Sequence, residues 1–302
     1  MIAMRCVVTG GCGFIGSHIV DALVRDGCEV AVLDDLSTGN LEYLNPAAEL
    51  MEGSVADAEA VLAAVEGATW VFHLAALPRV QQSVDDPIGT HAVNVNGTLN
   101  VLQAAREHGV ERVVVSSSSS VYGDQETHLM TEDLAPNPLS PYGLHKLIGE
   151  QYADLFAALF GMQIVSLRYF NVYGPRQSAE GAYALVIPHF LRLRDEGKPL
   201  TVYGDGYQTR DYVHVEDVVG ANLNAANSEL PQGRAVALNV GSGEETSVND
   251  IAAMVGGEVE HIIPNPRGAF EELRKCADTS RAKSVISWEP GILLAEGIKS
   301  VL

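Results

Sequence analysis

The segment TGGCGFIG, residues 9–16, joins a short apolar run, RCVVTG (5–10), to FIGSHIVDALVRDG (14–27), whose apolar residues recur at helical spacing and stop at Gly27. Gly10, Gly13 and Gly16 form a GxxGxxG pattern, and Gly11, Gly13 and Gly16 form GxGxxG. A turn without side chains lets a pyrophosphate approach the backbone, and the helix that follows contributes N–H donors and partial positive charge. A second strand, EVAVLDD (29–35), ends on Asp34, 18 residues beyond Gly16. An acid at that place can accept both hydroxyl protons of a ribose.

Outward from this unit the pattern repeats. AVLAAVEG (60–67) reads as helix, TWVFHLAA (69–76) as strand, GTLNVLQAAREHG (97–109) as helix and RVVVSSS (112–118) as strand. YGLHKLIGEQYADLFAALFG (142–161) is a long helix ahead of the strand QIVSLRYF (163–170). Alternation of this kind predicts an α/β fold, a Rossmann-type doubly wound parallel sheet covered by helices on both faces. Beyond residue 171 the rhythm is irregular: AYALVIPHFLRLRDEG and HVEDVVGANLNAA read as helices, PLTVYGDG and VALNVG as strands, and Ser247 with Asp250 as the N-cap and acidic first turn of NDIAAMVG. We expect a dinucleotide domain over 1–170, rejoined by 205–240, and a smaller C-terminal substrate-binding lobe from 171–204 and 241–302. No Pro/Ser-rich linker or internal repeat divides them.

Bulk properties restrict the functions. The 302 residues carry a formal net charge of −20, and such a surface repels phosphate backbones, so nucleic acid is not an expected partner. Dense carboxylates would suit a salt-rich cytosol, where self-repulsion is screened. No apolar run reaches the roughly 18 to 20 residues of a membrane span. Cys6, Cys12, Cys28 and Cys276 show no metal-ligand spacing, and no leader pattern precedes the first strand, so a reduced, cytoplasmic protein without a bound metal is expected.

The chemistry lies further along. Tyr142 and Lys146 are one helical turn apart and share a face. A phenol of pKa near ~10 is a poor base at neutral pH, but an ammonium ~6 Å away at an effective dielectric of ~20 favours the phenolate by roughly 3 kcal/mol, about two pKa units. The run SSSSSVYG (116–123) closes a strand at the edge where open parallel sheets hold ligands, so one hydroxyl can bond a substrate oxygen and relay its proton to Tyr142. Ser, Tyr and Lys around an oxidised nicotinamide form a site for removing hydride from a carbinol. Asp34 and Asp35, with no arginine beside them, would repel a 2′-phosphate, so NAD is expected over NADP. His73 and His145 are expected to be structural, because no cluster at ligand spacing accompanies them.

TGGCGFIG, Asp34, HLAA (73–76), NVNGT (94–98), SSSSSVYG, PLSPYGLHK, LRYFNVYGPRQ and ADTSRAKSVISWEP together resemble the extended short-chain dehydrogenase/reductases, and among them the nucleotide-sugar 4-epimerases of the UDP-glucose 4-epimerase type. The resemblance runs from residue 4 to about 290 and implies an isomerase that carries NAD. It implies Ser118 as the catalytic hydroxyl beside Tyr142 and Lys146. It places Gly10, Gly13, Phe14, Ile15 and Gly16 on the pyrophosphate, and Asp34, Asp35, Leu36, Ser37, Thr38 and Gly39 around the ribose. Ser54 and Val55 would face the adenine, where the family often has Asp-Ile or Asp-Val, with Asp57 as a substitute contact. Leu74, Ala75, Ala76, Asn94, Ser116 and Tyr169, with Tyr142 and Lys146, would complete the cofactor site. For a UDP-sugar substrate it implies Ser118, Tyr142, Asn171, Leu185, Val186, Thr201, Val202, Tyr203, Arg210 and Arg267.

Related dehydratases carry Asp-Glu before VYG, and related decarboxylases carry Glu, whereas this chain has Ser119 and Ser120. Elimination therefore lacks its acids, and redox at C4 of a UDP-hexose is the expected reaction. UDP-N-acetylhexosamine and UDP-uronate 4-epimerisation remain open alternatives, and a non-catalytic NAD-binding sensor is a more distant one. The apolar faces of VLQAAREHG and YADLFAALFG imply, through the same resemblance, a homodimer.

Overall fold

The computed structural model describes residues 4–178, 185–263 and 274–302. The run before the glycine turn is β1 (Arg5–Thr9), and the turn delivers α1 (Phe14–Arg25), which ends before Gly27 in the left-handed region (φ 84°). There follow β2 (Glu29–Asp34), β3 (Glu49–Glu52), α2 (Ala58–Val65) and β4 (Trp70–His73). Next come α3 (Val80–Asp85), α4 (Pro87–His91) and one π-helical turn, Ala92–Asn96, which runs into α5 (Gly97–Glu107). The serine run ends β5 (Arg112–Ser118), β6 (Leu129–Met130) is short, and α6 (Pro141–Phe160) is the longest helix among the described residues.

Local chemistry explains α6. Ser140 caps it by accepting from the Gly143 N–H at 3.1 Å, Pro141 occupies the first turn where a missing N–H costs nothing, and Gly161 closes it in the left-handed conformation. Then come β7 (Ile164–Tyr169), β8 (Asn171–Tyr173), α7 (Val186–Asp195), β9 (Leu200–Tyr203), β10 (Thr209–Arg210), β11 (Tyr212–His214) and α8 (Val215–Asn227). The chain ends with β12 (Val236–Val240), β13 (Thr246–Ser247), α9 (Val248–Val255), β14 (Val259–Ile262), β15 (Cys276–Ala277), α10 (Ser280–Ile286) and α11 (Leu294–Lys299). Ser247 and Asp250 form a complete capping box at α9.

Seven strands make one parallel sheet in the order β12-β7-β5-β4-β1-β2-β3. Its two faces are covered separately. On one, Ile19, Val20 and Leu23 of α1 and Val218 and Ala221 of α8 pack on Val8, Val32 and Leu167. On the other, Val61 of α2, Val101 and Leu102 of α5 and Ala153 of α6 pack on Val7, Val71 and Val113. A smaller core joins Ile187, Phe190 and Leu193 of α7 to Leu200, Val202, Ile251 and Val255. Short two-stranded pairings, β9 with β14 and β10 with β13, belong to this second layer. The sequence pattern did not predict β3, α3, α4 or the π turn. Residues 80–96 hold polar side chains without a clean period; α4 starts on a local signal, with Asp86 capping the Gly89 N–H and Pro87 in the first turn, while Ser83 of α3 accepts from the distant Tyr142 N–H. Among the described residues, no helix is long and apolar enough to cross a membrane.

Candidate active site

In the sheet order the winding reverses between β1 and β4, which opens a crevice at the C-terminal ends of these two strands. Thr9 and His73 are register partners there. The hydroxyl of Thr98 donates its one proton to the Asn94 carbonyl at 2.7 Å, so it accepts from His73 Nε2 at 3.0 Å. The Thr9 hydroxyl, 2.8 Å from Nδ1, then donates to it. His73 is thereby the neutral Nε2–H tautomer, and burial, with the Lys146 cation adding to it, pushes its pKa down to about 3. It is a structural histidine that ties β1, β4 and α5 together.

The glycine turn is shaped by the protein itself at two positions and left open at a third. A Cβ on Gly10 (φ 72°) would stand 2.7 Å from the Ala75 nitrogen, and one on Gly16 would run into the Gly10 carbonyl oxygen. A Cβ on Gly13 would meet one atom, the Gly10 oxygen at 3.2 Å, and otherwise fill the cradle at the start of α1. Asp34 is 7% exposed and accepts from the Cys12 N–H and the Leu36 N–H, each at 2.9 Å. A carboxylate has about four acceptor positions, so two remain for a diol. Burial raises the Asp34 pKa against these two bonds. Asp35 is exposed and bonds the Ser37 backbone and hydroxyl, which is a local turn. This donor set, an uncovered glycine at a helix N-terminus and an acid at the end of β2, fits a dinucleotide's pyrophosphate and ribose.

Several expected cofactor residues act through the main chain or have a partner already. Asn94, 3% exposed, uses both ends of its amide on Leu77, accepting from the N–H at 2.8 Å and donating to the carbonyl at 3.0 Å. It shapes the segment after Leu74, Ala75 and Ala76. Val55 packs against Gly97, Ser54 accepts from the Ala56 N–H, and Asp57 caps α2 through the Glu59 and Ala60 N–H groups. Tyr169 donates its hydroxyl to Asn222 at 3.0 Å. Phe14 and Ile15 open α1, partly buried, and Leu36 takes a left-handed backbone (φ 56°) ahead of Ser37, Thr38 and Gly39.

The catalytic candidates meet at the end of β5. Tyr142 stands beside Ser118, whose hydroxyl favours the phenolate, and Ser118 Oγ accepts from the Ser120 N–H at 3.1 Å. Lys146 donates to the Ser116 carbonyl at 2.7 Å and its hydroxyl at 3.2 Å, with Nζ 5.9 Å from the centre of the Tyr142 ring. One expectation is corrected here. Burial pushes the Tyr142 phenol up to about 12, and Ser118, not Lys146, is the group that lowers it. The reason is that the ammonium is turned to Ser116 and is itself brought down to about 8 by burial.

Sequence reasoning missed the supports of this triad. The Tyr142 N–H, an orphan donor in the first turn of α6, donates to Ser83 Oγ of α3 at 3.0 Å. Ser117 bonds Glu150, which also receives Arg168. A carboxylate eight residues after Tyr142, on the same helical face, was the available signal. Lys275, 3% exposed, lies 3.4 Å from the Ser119 carbonyl.

The expected substrate residues are spread over the second layer. Asn171 donates to the Asp211 carbonyl at 2.9 Å, and Arg210 donates to the Thr209 carbonyl at 2.8 Å. Leu185 is half exposed ahead of α7, Val186 is partly buried, and Thr201 and Tyr203 share the partly buried face of β9. Val202 is a correction: it is wholly buried in the smaller core and presents no side chain to a ligand. Arg267 lies outside the described residues. Among the described residues, no group of three His, Cys, Asp or Glu side chains could hold a metal ion.

Comparison with known proteins points the same way. The family model described as NAD dependent epimerase/dehydratase matches residues 6–241. The UDP-glucose 4-epimerase of Mycolicibacterium smegmatis is 41% identical, over 98% of this chain and 96% of that one. The solved UDP-glucose 4-epimerase of Thermotoga maritima, with UDP-glucose, superposes with a TM-score of 0.91 at 37% identity, covering 98% of this chain and 97% of that one. That of Thermus thermophilus, complexed with NAD, gives 0.87 at 36% identity, over 98% and 97%.

Proposed function

The chain belongs to the NAD dependent epimerase/dehydratase family and is an enzyme with NAD as its cofactor, and we propose that it interconverts the C4 epimers of a UDP-hexose, UDP-glucose and UDP-galactose, through a transient 4-keto sugar. The observation that carries this reading is the convergence of Tyr142, Ser118 and Lys146 at the C-terminal end of β5. The relatives named above are UDP-glucose 4-epimerases, and Ser119 and Ser120 supply no acid for elimination.

The residues that would hold NAD are Gly10, Gly13 and Gly16 with the first turn of α1, Asp34, and the Leu74–Ala76 segment. When bound, NAD accepts and returns hydride and, oxidised, brings positive charge. Tyr142 takes the C4 hydroxyl proton and later gives it back, with Ser118 bridging the two oxygens. In the site as it stands Ser118 is the group that lowers the phenol and Lys146 is bonded to Ser116; the positive charge that oxidised NAD would bring would act on the phenol together with the ammonium. Asn171, Tyr203 and Arg210 hold the nucleotide and its diphosphate, and this tether allows the keto sugar to turn without escaping.

We further assign 1–170 and 212–240 to the dinucleotide domain, together with α10, whose Ala282 and Ile286 pack into the core of the large sheet, and α7, β9, β10, β13, α9 and β14 to the substrate lobe, which corrects the expected bounds of 205–240 and 241–302. A homodimer is part of the same proposal: Leu144, Leu155 and Leu159 form an exposed apolar row along α6, and Ile88 of α4 is 84% exposed. A monomeric mass at micromolar concentration would remove it. The four free cysteines suit a reducing compartment, and we place the enzyme in the cytoplasm. The decisive experiment incubates the enzyme with UDP-glucose, UDP-N-acetylglucosamine and UDP-glucuronate and resolves the C4 epimers. UDP-galactose formation should be fastest, and no C4 epimer from any of the three would refute the assignment.

A further inference from the structure

The mechanism leaves one buried ion pair without a role. Tyr142, Lys146 and Glu150 stand at i, i+4 and i+8 of α6, so the three side chains leave one face of the helix. Glu150 is 7% exposed and Arg168 of β7 is 4% exposed. Arg168 grips the carboxylate in a fork, Nε at 2.9 Å and Nη2 at 2.6 Å, and Ser117 donates its hydroxyl to the same group. The guanidinium also lies 4.8 Å from the centre of the Tyr122 ring, whose hydroxyl donates to Asn239 at 2.6 Å. The three strand serines therefore face three successive side chains of this row. Ser116 receives Lys146, Ser117 binds Glu150 and Ser118 stands beside Tyr142.

We propose that Glu150 is a positioning residue for the reaction: its carboxylate keeps the Lys146 ammonium charged through neutral pH and anchors the middle serine, so that the serines on either side meet Lys146 and Tyr142. This deepens the Tyr142–Lys146 reading of the site and rests on it. Burial lowers the Lys146 pKa and Glu150 raises it, and the balance of the two is about 8. The other titratable and charged groups around this row do not supply negative charge to Lys146. His73 of β4 is neutral, and His145 on α6 is lowered by burial, with His91 beside it. Tyr169 of β7 and Tyr122 are held protonated by burial. Asp154, one turn further along α6, is raised by burial and faces Arg234, while Glu132 faces Arg281 and Arg168.

The test reads Lys146 directly. The chain has few lysines, so selective 13C labelling resolves their Cε signals, and Lys146→Arg assigns the one of interest. In Glu150→Gln the Lys146 midpoint should fall below its wild-type value by about one pH unit. The alkaline limb of turnover should move down with it, and kcat at pH 8 should fall about fivefold while KM stays within about twofold. Glu150→Gln/Arg168→Met removes the ion pair as a unit, which buried cores commonly tolerate, and should displace the midpoint by less than Glu150→Gln does, because the Arg168 cation goes with the anion. A folded Glu150→Gln in which the Lys146 midpoint is unmoved overturns the proposal, as does loss of turnover with an unmoved midpoint in either variant. The lysine titration needs no substrate, so its failure is separable from failure of the UDP-hexose assignment, which the wild-type sugar panel tests.

Discussion

Acid should weaken this protein through His73 by an amount the structure fixes. The imidazole is 2% exposed, and its two nitrogens are matched to one donor and one acceptor, Thr9 and Thr98, in the Nε2–H tautomer. A second proton on Nδ1 would confront the Thr9 hydroxyl proton in a site that also feels the Lys146 cation. The folded pKa of about 3 lies below the ordinary 6.5. The unfolded chain therefore binds the extra proton first, so the stability held above 6.5 is lost as pH falls toward 3. The full loss would be at most ~5 kcal/mol, and between pH 7 and pH 5 it is ~2 kcal/mol. For a chain of this length the unfolding entropy is about 0.6 kcal/mol per kelvin, so the pH 7 to 5 step costs about 3 °C in melting temperature through this residue alone. Other groups titrate over the same interval, so the assay is a comparison. Melting temperatures of the wild type and His73→Gln are measured at both pH values, and the wild type should fall by about 3 °C more. An excess fall of less than about 1 °C would refute the tautomer argument and the neutrality of the buried ring.

Tyr142→Phe should lower turnover by at least about a hundredfold with NAD affinity retained, measured by steady-state assay and calorimetry; retention of more than a tenth of the activity would contradict proton transfer by this phenol. Gly13→Ala should keep the melting temperature and weaken NAD binding, whereas Gly16→Ala should lower the melting temperature as well, because its Cβ would collide with the Gly10 carbonyl inside the protein. NAD titrations and thermal melts of both variants separate the two cases, and equal behaviour would refute the cradle assignment. With a formal charge of −20, the unfolding midpoint should rise between low and about molar salt as self-repulsion is screened, and a flat profile would count against a salt-adapted surface.

What the amino-acid order settled is what depends on neighbours in the chain. The glycine turn between β1 and α1, the apolar strands, the glycine that closes α6, the N-cap of α9, and the i, i+4 relation of Tyr142 and Lys146 all follow from spacing and side-chain type, and their boundaries fall within a few residues of the pattern. The parallel sheet followed from alternation, because strands buried on both faces must be apolar throughout. Tertiary structure decided what depends on distant partners and on desolvation. Helices α3 and α4 carry no clean period, yet Ser83 reaches from α3 to the Tyr142 N–H. Lys146 looked like the group that would lower the phenol, but its ammonium is hydrogen-bonded to Ser116 and burial lowers its own pKa, a result of dielectric surroundings that no spacing encodes. Glu150, Ser117 and Arg168 come from three separate elements, and only the packing of α6 on β5 and β7 makes them one network.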